Sequence, residues 1–156
     1  MQAGGPNAPR LDDMDRRIIE QLQEDGRRSY GRIGSAVGLS EAAARQRVQR
    51  LLDADVIKIV AVVDPDTFGF RMRATVGLLV EGDLMRAADR VAEIPEVDYV
   101  VITTGSFDLL IEIQCEDNAH LFTLLNERIR VVPGVRRAET FTYLRVHKQT
   151  YPWPPI

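Results

Sequence analysis

Residues 29–52 read SYGRIGSAVGLSEAAARQRVQRLL, and this stretch decides the N-terminal half of the chain. Ile33 and Val37 recur one helical turn apart, and Gly38 follows where a left-handed residue ends a helix without a Cβ penalty. Ser40 is an N-cap for the next helix, whose apolar stripe is Ala44, Val48 and Leu51 at i, i+4, i+7. Gly34 stands where a larger side chain would hold the two helices apart. Two short helices joined by a glycine turn, the second with a polar and basic free face, are the layout of a helix-turn-helix, in which the second helix enters the DNA major groove.

Charge supports that layout locally. The chain of 156 residues carries a formal net charge of −3, yet residues 27–50 hold six arginines against one acid, Glu41. The acidity lies farther on, since residues 57–156 hold 11 basic and 14 acidic groups. On the exposed side of the second helix, Arg45 and Gln46 are the expected base readers, because arginine pairs with guanine and glutamine with adenine. Arg27, Arg28, Arg32, Arg47 and Arg50 are expected to hold phosphates. Ser40, Glu41, Ala42 and Gln49 complete the surface presented to DNA. A solvated polar face is the bland explanation for any single helix of this kind, and the capped two-helix arrangement argues against it.

Working outward, Asp12 caps a preceding helix in which Met14, Ile18, Ile19 and Leu22 recur at helical spacing, with Gly26 as the expected stop. Ile57–Val63 is β-rich and closed by Asp64-Pro65, so a strand is expected there, leaving the DNA-binding unit. Beyond it the order is strand Arg73–Val80, helix Leu84–Ile94, strand Val97–Thr104, strand Phe107–Cys115, helix Ala119–Val131 and strand Val135–Val146. A β-α-β-β-α-β order gives an antiparallel four-stranded sheet with two helices on one face, a ferredoxin-like domain. The fold class is therefore α+β, with a tail at 1–10, a helix-turn-helix domain at 11–62, a linker at 63–70, the ferredoxin-like domain at 71–150 and a proline-rich tail at 151–156. That last segment, Tyr151–Ile156, is expected to be an extended arm over apolar surface.

Several function classes are disfavoured. Cys115, His120 and His147 are too few and too scattered for a structural zinc site, so no metal is expected. Ser106 lacks a nucleophile-elbow context and no glycine-rich phosphate cradle occurs, so neither a catalytic residue nor a cofactor is expected. Cys115 is the only cysteine, which fits a reducing cytoplasm and a core position. MQAGGPNAPR has no apolar h-region and no run approaches the length of a membrane span, so a cytoplasmic protein without membrane contact is expected.

The chain resembles the Lrp/AsnC (feast/famine) family of transcription regulators. The residues that carry the likeness are Leu11-Asp12 with Asp15-Arg16-Arg17-Ile18, Asp25-Gly26-Arg27, Val37-Gly38-Leu39-Ser40, Arg47-Val48 with Arg50-Leu51, Val56-Ile57, Asp64-Pro65, Gly105-x-x-Asp108 and Pro133-Gly134-Val135. The resemblance implies a C-terminal domain that binds an amino-acid effector at a subunit interface. It also implies a homodimer that assembles to a higher oligomer such as an octamer and binds a near-palindromic operator in double-stranded DNA. The effector would meet Thr103, Thr104, Gly105, Phe107 and Asp108, with loop amides on its carboxylate and Asp108 on its ammonium. Taken from residues alone, the same loop reads first as a hairpin turn that needs Gly105 for geometry and in which Asp108 makes a local backbone bond. The chain departs from the family in having aliphatic Val100-Val101-Ile102 where an aromatic residue is frequent. Two other functions fit parts of the pattern. One is an architectural DNA-binding protein of low specificity, and the other a regulatory amino-acid-binding module without its own DNA target.

Overall fold

Asp12 opens the first helix by a reciprocal cap in a computed structural model that describes residues 10–63 and 65–149. Its carboxylate accepts the Asp15 amide at 2.7 Å, and the Asp15 carboxylate accepts the Asp12 amide at 3.3 Å. Two of the helix's orphan donors are satisfied at once. Helix α1, Asp13–Glu24, ends at Asp25 in extended conformation, one residue before the glycine expected to stop it. Asp25 itself makes the turn, since its side chain accepts the Arg27 amide at 2.9 Å.

Helix α2, Tyr30–Val37, is capped by Ser29 and closed by Gly38 at φ 82°. Helix α3, Glu41–Asp53, starts at the Ser40 cap, whose hydroxyl accepts the Ala43 amide at 3.2 Å. Ile18, Ile33, Val37, Ala44, Val48 and Leu51 are buried together, each apolar stripe meeting the other two. The α2–α3 approach depends on Gly34, where a Cβ would lie 2.6 Å from the Leu39 carbonyl oxygen.

The polar seam of this unit lies between α1 and α3. Asp15 is 1% exposed, and both its oxygens are taken by guanidinium groups. Arg47 Nη1 donates to Asp15 at 2.8 Å and to Asp12 at 2.7 Å, and Arg50 Nη2 donates to Asp15 at 2.6 Å. The Arg47 guanidinium holds the Asp12 carboxyl below its ordinary range.

Ile57–Val63 forms no strand. Ile59, Val60, Val62 and Val63 are all exposed, and a strand needs a neighbour to take its backbone groups, which the described chain does not offer here. The division into two compact units falls between Val62 and Val63. A 3-10 turn at Pro65–Phe68 follows.

The second unit contains β1 (Met72–Val80), α4 (Leu84–Ala92), β2 (Val97–Ile102), β3 (Leu109–Cys115), α5 (Asn118–Thr123) and β4 (Val135–Thr142). The strand order is β2-β3-β1-β4, antiparallel throughout. Ala74, Val76 and Leu78 alternate on one face of β1 with Leu109, Ile111, Ile113 and Cys115 of β3, and these pack with Ala87, Val91, Leu124 and Ile129. Burial first, then the Glu96 and Asp117 charges, pushes the Cys115 thiol up to about 11, so it is an inert core group at neutral pH.

Most element bounds differ from expectation by a few residues: β1 begins at Met72, α4 ends at Ala92 and β3 begins at Leu109. Strand β2 stops at Ile102 and β4 at Thr142, each followed by one last backbone bond, from the Thr103 amide to the Asp108 carbonyl and from the Tyr143 amide to the Arg73 carbonyl. The expected helix over Ala119–Val131 is α-helical only to Thr123 and then widens to a π-turn at Leu124–Ile129, where the Arg130 amide bonds the Leu125 carbonyl. The five-residue period buries Leu124 and Ile129 together, whereas a strict α-turn would have brought Arg128 beneath Leu124. The expected arm Tyr151–Ile156 lies outside the described residues.

Two predictions test this account. Gly34→Val should cost about 1–3 kcal/mol or more and displace α3, read as a lowered thermal midpoint with loss of DNA binding. The second concerns pH. A carboxyl whose folded pKa is depressed stabilises fully above its unfolded pKa, and that gain is lost as pH falls through the folded one. Asp12→Asn keeps a capping side chain without the charge. The melting difference between wild type and Asp12→Asn should therefore be widest near neutrality and narrow steadily below about pH 4.

Candidate nucleic-acid interface and effector loop

Helix α3 presents its outer face through the cap at Ser40. Ala42, Arg45, Gln46, Gln49 and Arg50 are exposed along it, while Ala44, Val48 and Leu51 are buried behind. The arginines expected to act alike divide by partner. The Arg45 guanidinium lies over the Tyr30 ring, with Cζ 5.2 Å from the centroid, and 3.6 Å from the Glu41 carboxylate. Arg27 and Arg32 are exposed, and neither guanidinium has a protein partner among the described residues. Both are available to an external anion.

The remaining three have partners within the chain. Arg47, expected as a phosphate clamp, is 31% exposed and spends its guanidinium on Asp12 and Asp15. Arg50 is half-exposed but is anchored to Asp15 by one nitrogen. Arg28 bonds Gln21 and, at 3.0 Å, Glu24. Position on a helix tells which way a side chain leaves the axis, but the acids that capture these groups lie on α1, 4 to 35 residues away. Gln49 is tied along its own helix to Asp53 at 2.8 Å, leaving Gln46 the amide without a side-chain partner on this face. Arg17, which sequence reasoning did not single out, donates to the Ala36 carbonyl at 3.1 Å and braces α1 against the end of α2.

In the second unit the loop between β2 and β3 gathers all five expected effector residues, with Thr103 and Asp108 already engaged within the domain. The Asp108 carboxylate accepts the Val80 amide at 2.8 Å, and the Asp108 amide donates to the Leu78 carbonyl at 2.9 Å. The carboxylate therefore fastens the loop to the end of β1, just past the last β1–β3 pair, Leu78 with Leu109, where the Val80 amide has no strand partner. The Thr103 hydroxyl donates to the Phe107 carbonyl and accepts the Gly105 amide at 3.4 Å. Thr104, Gly105 and Ser106 are the exposed tip. The glycine is not forced by space, since a Cβ there would meet only the Thr103 hydroxyl at 3.9 Å.

Phe107 lies on the sheet face opposite the helices. A Cβ on Gly77 would come within 2.5 Å of its ring, so the missing side chain is what admits it. Phe141 meets the same ring edge-on, centroids 6.1 Å apart. Farther along this face Tyr143 shares a 2.7 Å hydrogen bond with Thr75 and donates to Glu112 at 3.2 Å. Burial, with the Glu112 charge, raises the Tyr143 hydroxyl above its usual range. Tyr99 and Phe141 stay exposed there.

Among the described residues no group of histidine, cysteine and acidic side chains could hold a metal ion, and no helix is long and apolar enough to cross a membrane.

Comparison with known proteins bears on both units. Residues 11–52 match the family model of the AsnC-type helix-turn-helix domain, and residues 73–153 match that of the Lrp/AsnC ligand binding domain. An HTH-type transcriptional regulator of Mycobacterium tuberculosis is 38% identical over 140 residues, covering 86% of this chain and 93% of that protein. The HTH-type transcriptional regulator FL11 of Pyrococcus furiosus is 34% identical over 146 residues, covering 92% and 96%. Among solved structures, a Neisseria meningitidis transcriptional regulator in complex with L-Met superposes with a TM-score of 0.84 at 24% identity, covering 93% of this chain and 97% of its own. The α+β fold is thus that of AsnC/Lrp structures, and the relatives are regulators rather than enzymes. With both of its units matched in order over most of its length, the chain belongs to the Lrp/AsnC family of DNA-binding transcriptional regulators with a ligand-binding domain.

Proposed function

We propose that the chain is a sequence-specific regulator whose paired α3 helices read a near-palindromic operator, and whose DNA affinity is set by an amino acid bound at a subunit interface of the C-terminal domain. The observation that carries the reading is the outer face of α3. Arg45 and Gln46 stand exposed on a helix fixed by the Ser40 cap, the Gly34 contact and the Asp15 ion pairs.

In this reading Arg45 and Gln46 meet base edges. Arg27 and Arg32 supply phosphate contacts, with the outer edge of Arg50 as a lesser one. Ser40, Glu41, Ala42 and Gln49 frame the contact. Arg28 and Arg47 serve chiefly to hold α1 against its neighbours. The homodimer, and a higher oligomer such as an octamer, would use the open sheet face around Phe107, Phe141 and Tyr99, of which Phe141 and Tyr99 are exposed in the single chain.

The amino-acid class of the effector is supported by the family's ligand-binding domain and by the L-Met complex of the Neisseria meningitidis regulator. The loop tip Thr104-Gly105-Ser106 would offer amides to an α-carboxylate, with Thr103 and Phe107 shaping the loop behind it. Asp108 retains one carboxylate oxygen beyond the Val80 bond for an α-ammonium. Effector binding would act by changing how subunits pack and hence how far apart the reading helices stand.

Two measurements test this. A duplex selected by the protein from a random-sequence pool should be bound tighter than its scramble. Arg45→Ala should weaken the selected duplex by about 1–3 kcal/mol with little effect on the scramble. Equal losses on both would make Arg45 a phosphate contact, and no preference in the wild type would favour the architectural function. For the effector, melting curves with each of the twenty amino acids should show an upward shift for one or a few. Asp108→Asn keeps an acceptor for the Val80 amide, so it should melt as wild type without ligand yet lose that shift.

A further inference from the structure

Arg45 is more constrained than an exposed helical arginine has reason to be. Its guanidinium lies against the Tyr30 ring at the start of α2, with Cζ 5.2 Å from the centroid. The Glu41 carboxylate, one turn earlier on α3, is 3.6 Å from Nη2. That carboxylate also sits over Gly31, where a Cβ would come within 3.2 Å of Oε2. Tyr30 and Glu41 therefore flank one side chain on the outer face of α3, with Gly31 beneath the carboxylate. Tyr30 itself is partly buried against the N-terminal core, so the ring is a fixed platform.

We propose that Tyr30 and Glu41 are positioning residues that set the aim of Arg45 and thereby the base choice of α3. This rests on the reading of α3 as a base-reading helix. A cation–π contact uses the charge of the guanidinium and none of its N–H donors, which are what guanine O6 and N7 require. A free arginine loses much rotamer freedom when it docks, and the ring has removed part of that freedom beforehand. Glu41 acts in the opposite sense. At 3.6 Å it holds the guanidinium by charge rather than by a hydrogen bond, so a correct base displaces it at little cost. Where the base offers no acceptor, Arg45 stays with Glu41 and the carboxylate opposes the phosphates around it. Tyr30 favours the right sequence, and Glu41 penalises the wrong ones. Gly31 leaves the room that Glu41 occupies.

The test is a double-mutant cycle with the full chain, read by fluorescence anisotropy on the selected duplex and its scramble. Tyr30→Leu keeps an apolar side chain against the core, and its melting curve reports whether folding is intact. It should weaken the selected duplex about five- to tenfold and the scramble less than twofold, while Tyr30→Phe stays near wild type. In an Arg45→Ala background Tyr30→Leu should have no further effect. Glu41→Gln should tighten the scramble a few-fold and so reduce the ratio between the two duplexes. If Tyr30→Leu costs as much without Arg45 as with it, or costs the same on both duplexes, the ring serves folding alone and the proposal is overturned. Should random selection with the wild type enrich nothing, the base-reading function falls, and this inference with it.

Discussion

Asp15 is the point on which the N-terminal unit turns. It is a carboxylate almost wholly removed from water, and it is tolerable there because two guanidinium groups from α3 satisfy it. The same residue closes the cap of α1 with Asp12. One side chain thus starts the first helix and fixes the rotation of the third about its axis. With Arg47 and Arg50 drawn toward α1, Arg45 and Gln46 are left on the outer side. The ion pairs therefore separate the arginines of α3 that are tied to α1 from Arg45, which is not.

The second unit is organised by a different constraint, the need to fill one face of a four-stranded sheet and keep the other usable. On the filled face aliphatic side chains alternate along β1 and β3 beneath the helices. The π-turn at Leu124–Ile129 belongs to the same economy of space. It brings two large apolar groups inward across a spacing that an α-helix would have filled with an arginine. On the other face, a hydrogen-bonded set of Thr75, Tyr143 and Glu112 lies along from the Phe107–Phe141 pair.

How far the sequence could be read follows from the range of each interaction. The caps at Asp12, Ser29 and Ser40 and the turn at Gly38 involve groups within four residues of each other, so local spacing announces them. The strand order follows from alternation and from the rules of connection. Ile57–Val63 has the composition of a strand but no partner to complete it, and composition cannot supply one. The π-turn is hidden because a helix with apolar residues on several sides fits more than one period. At the candidate sites, side-chain direction was legible and side-chain occupation was not. Arg47 leaves α3 as its position demands, then meets acids 32 and 35 residues earlier. Asp108 belongs to the right loop, yet its carboxylate is engaged by a backbone amide 28 residues before it.

The nesting of Phe107 against Gly77 joins the loop to the sheet more firmly than a hydrogen bond would. A ring seated on bare backbone cannot slide, because the strand's neighbouring side chains flank it, and it cannot lift without exposing the peptide groups beneath. The size of residue 77 thus sets the relief of the sheet's outer surface: any side chain there would have to displace the ring, and the loop that carries it, from that face.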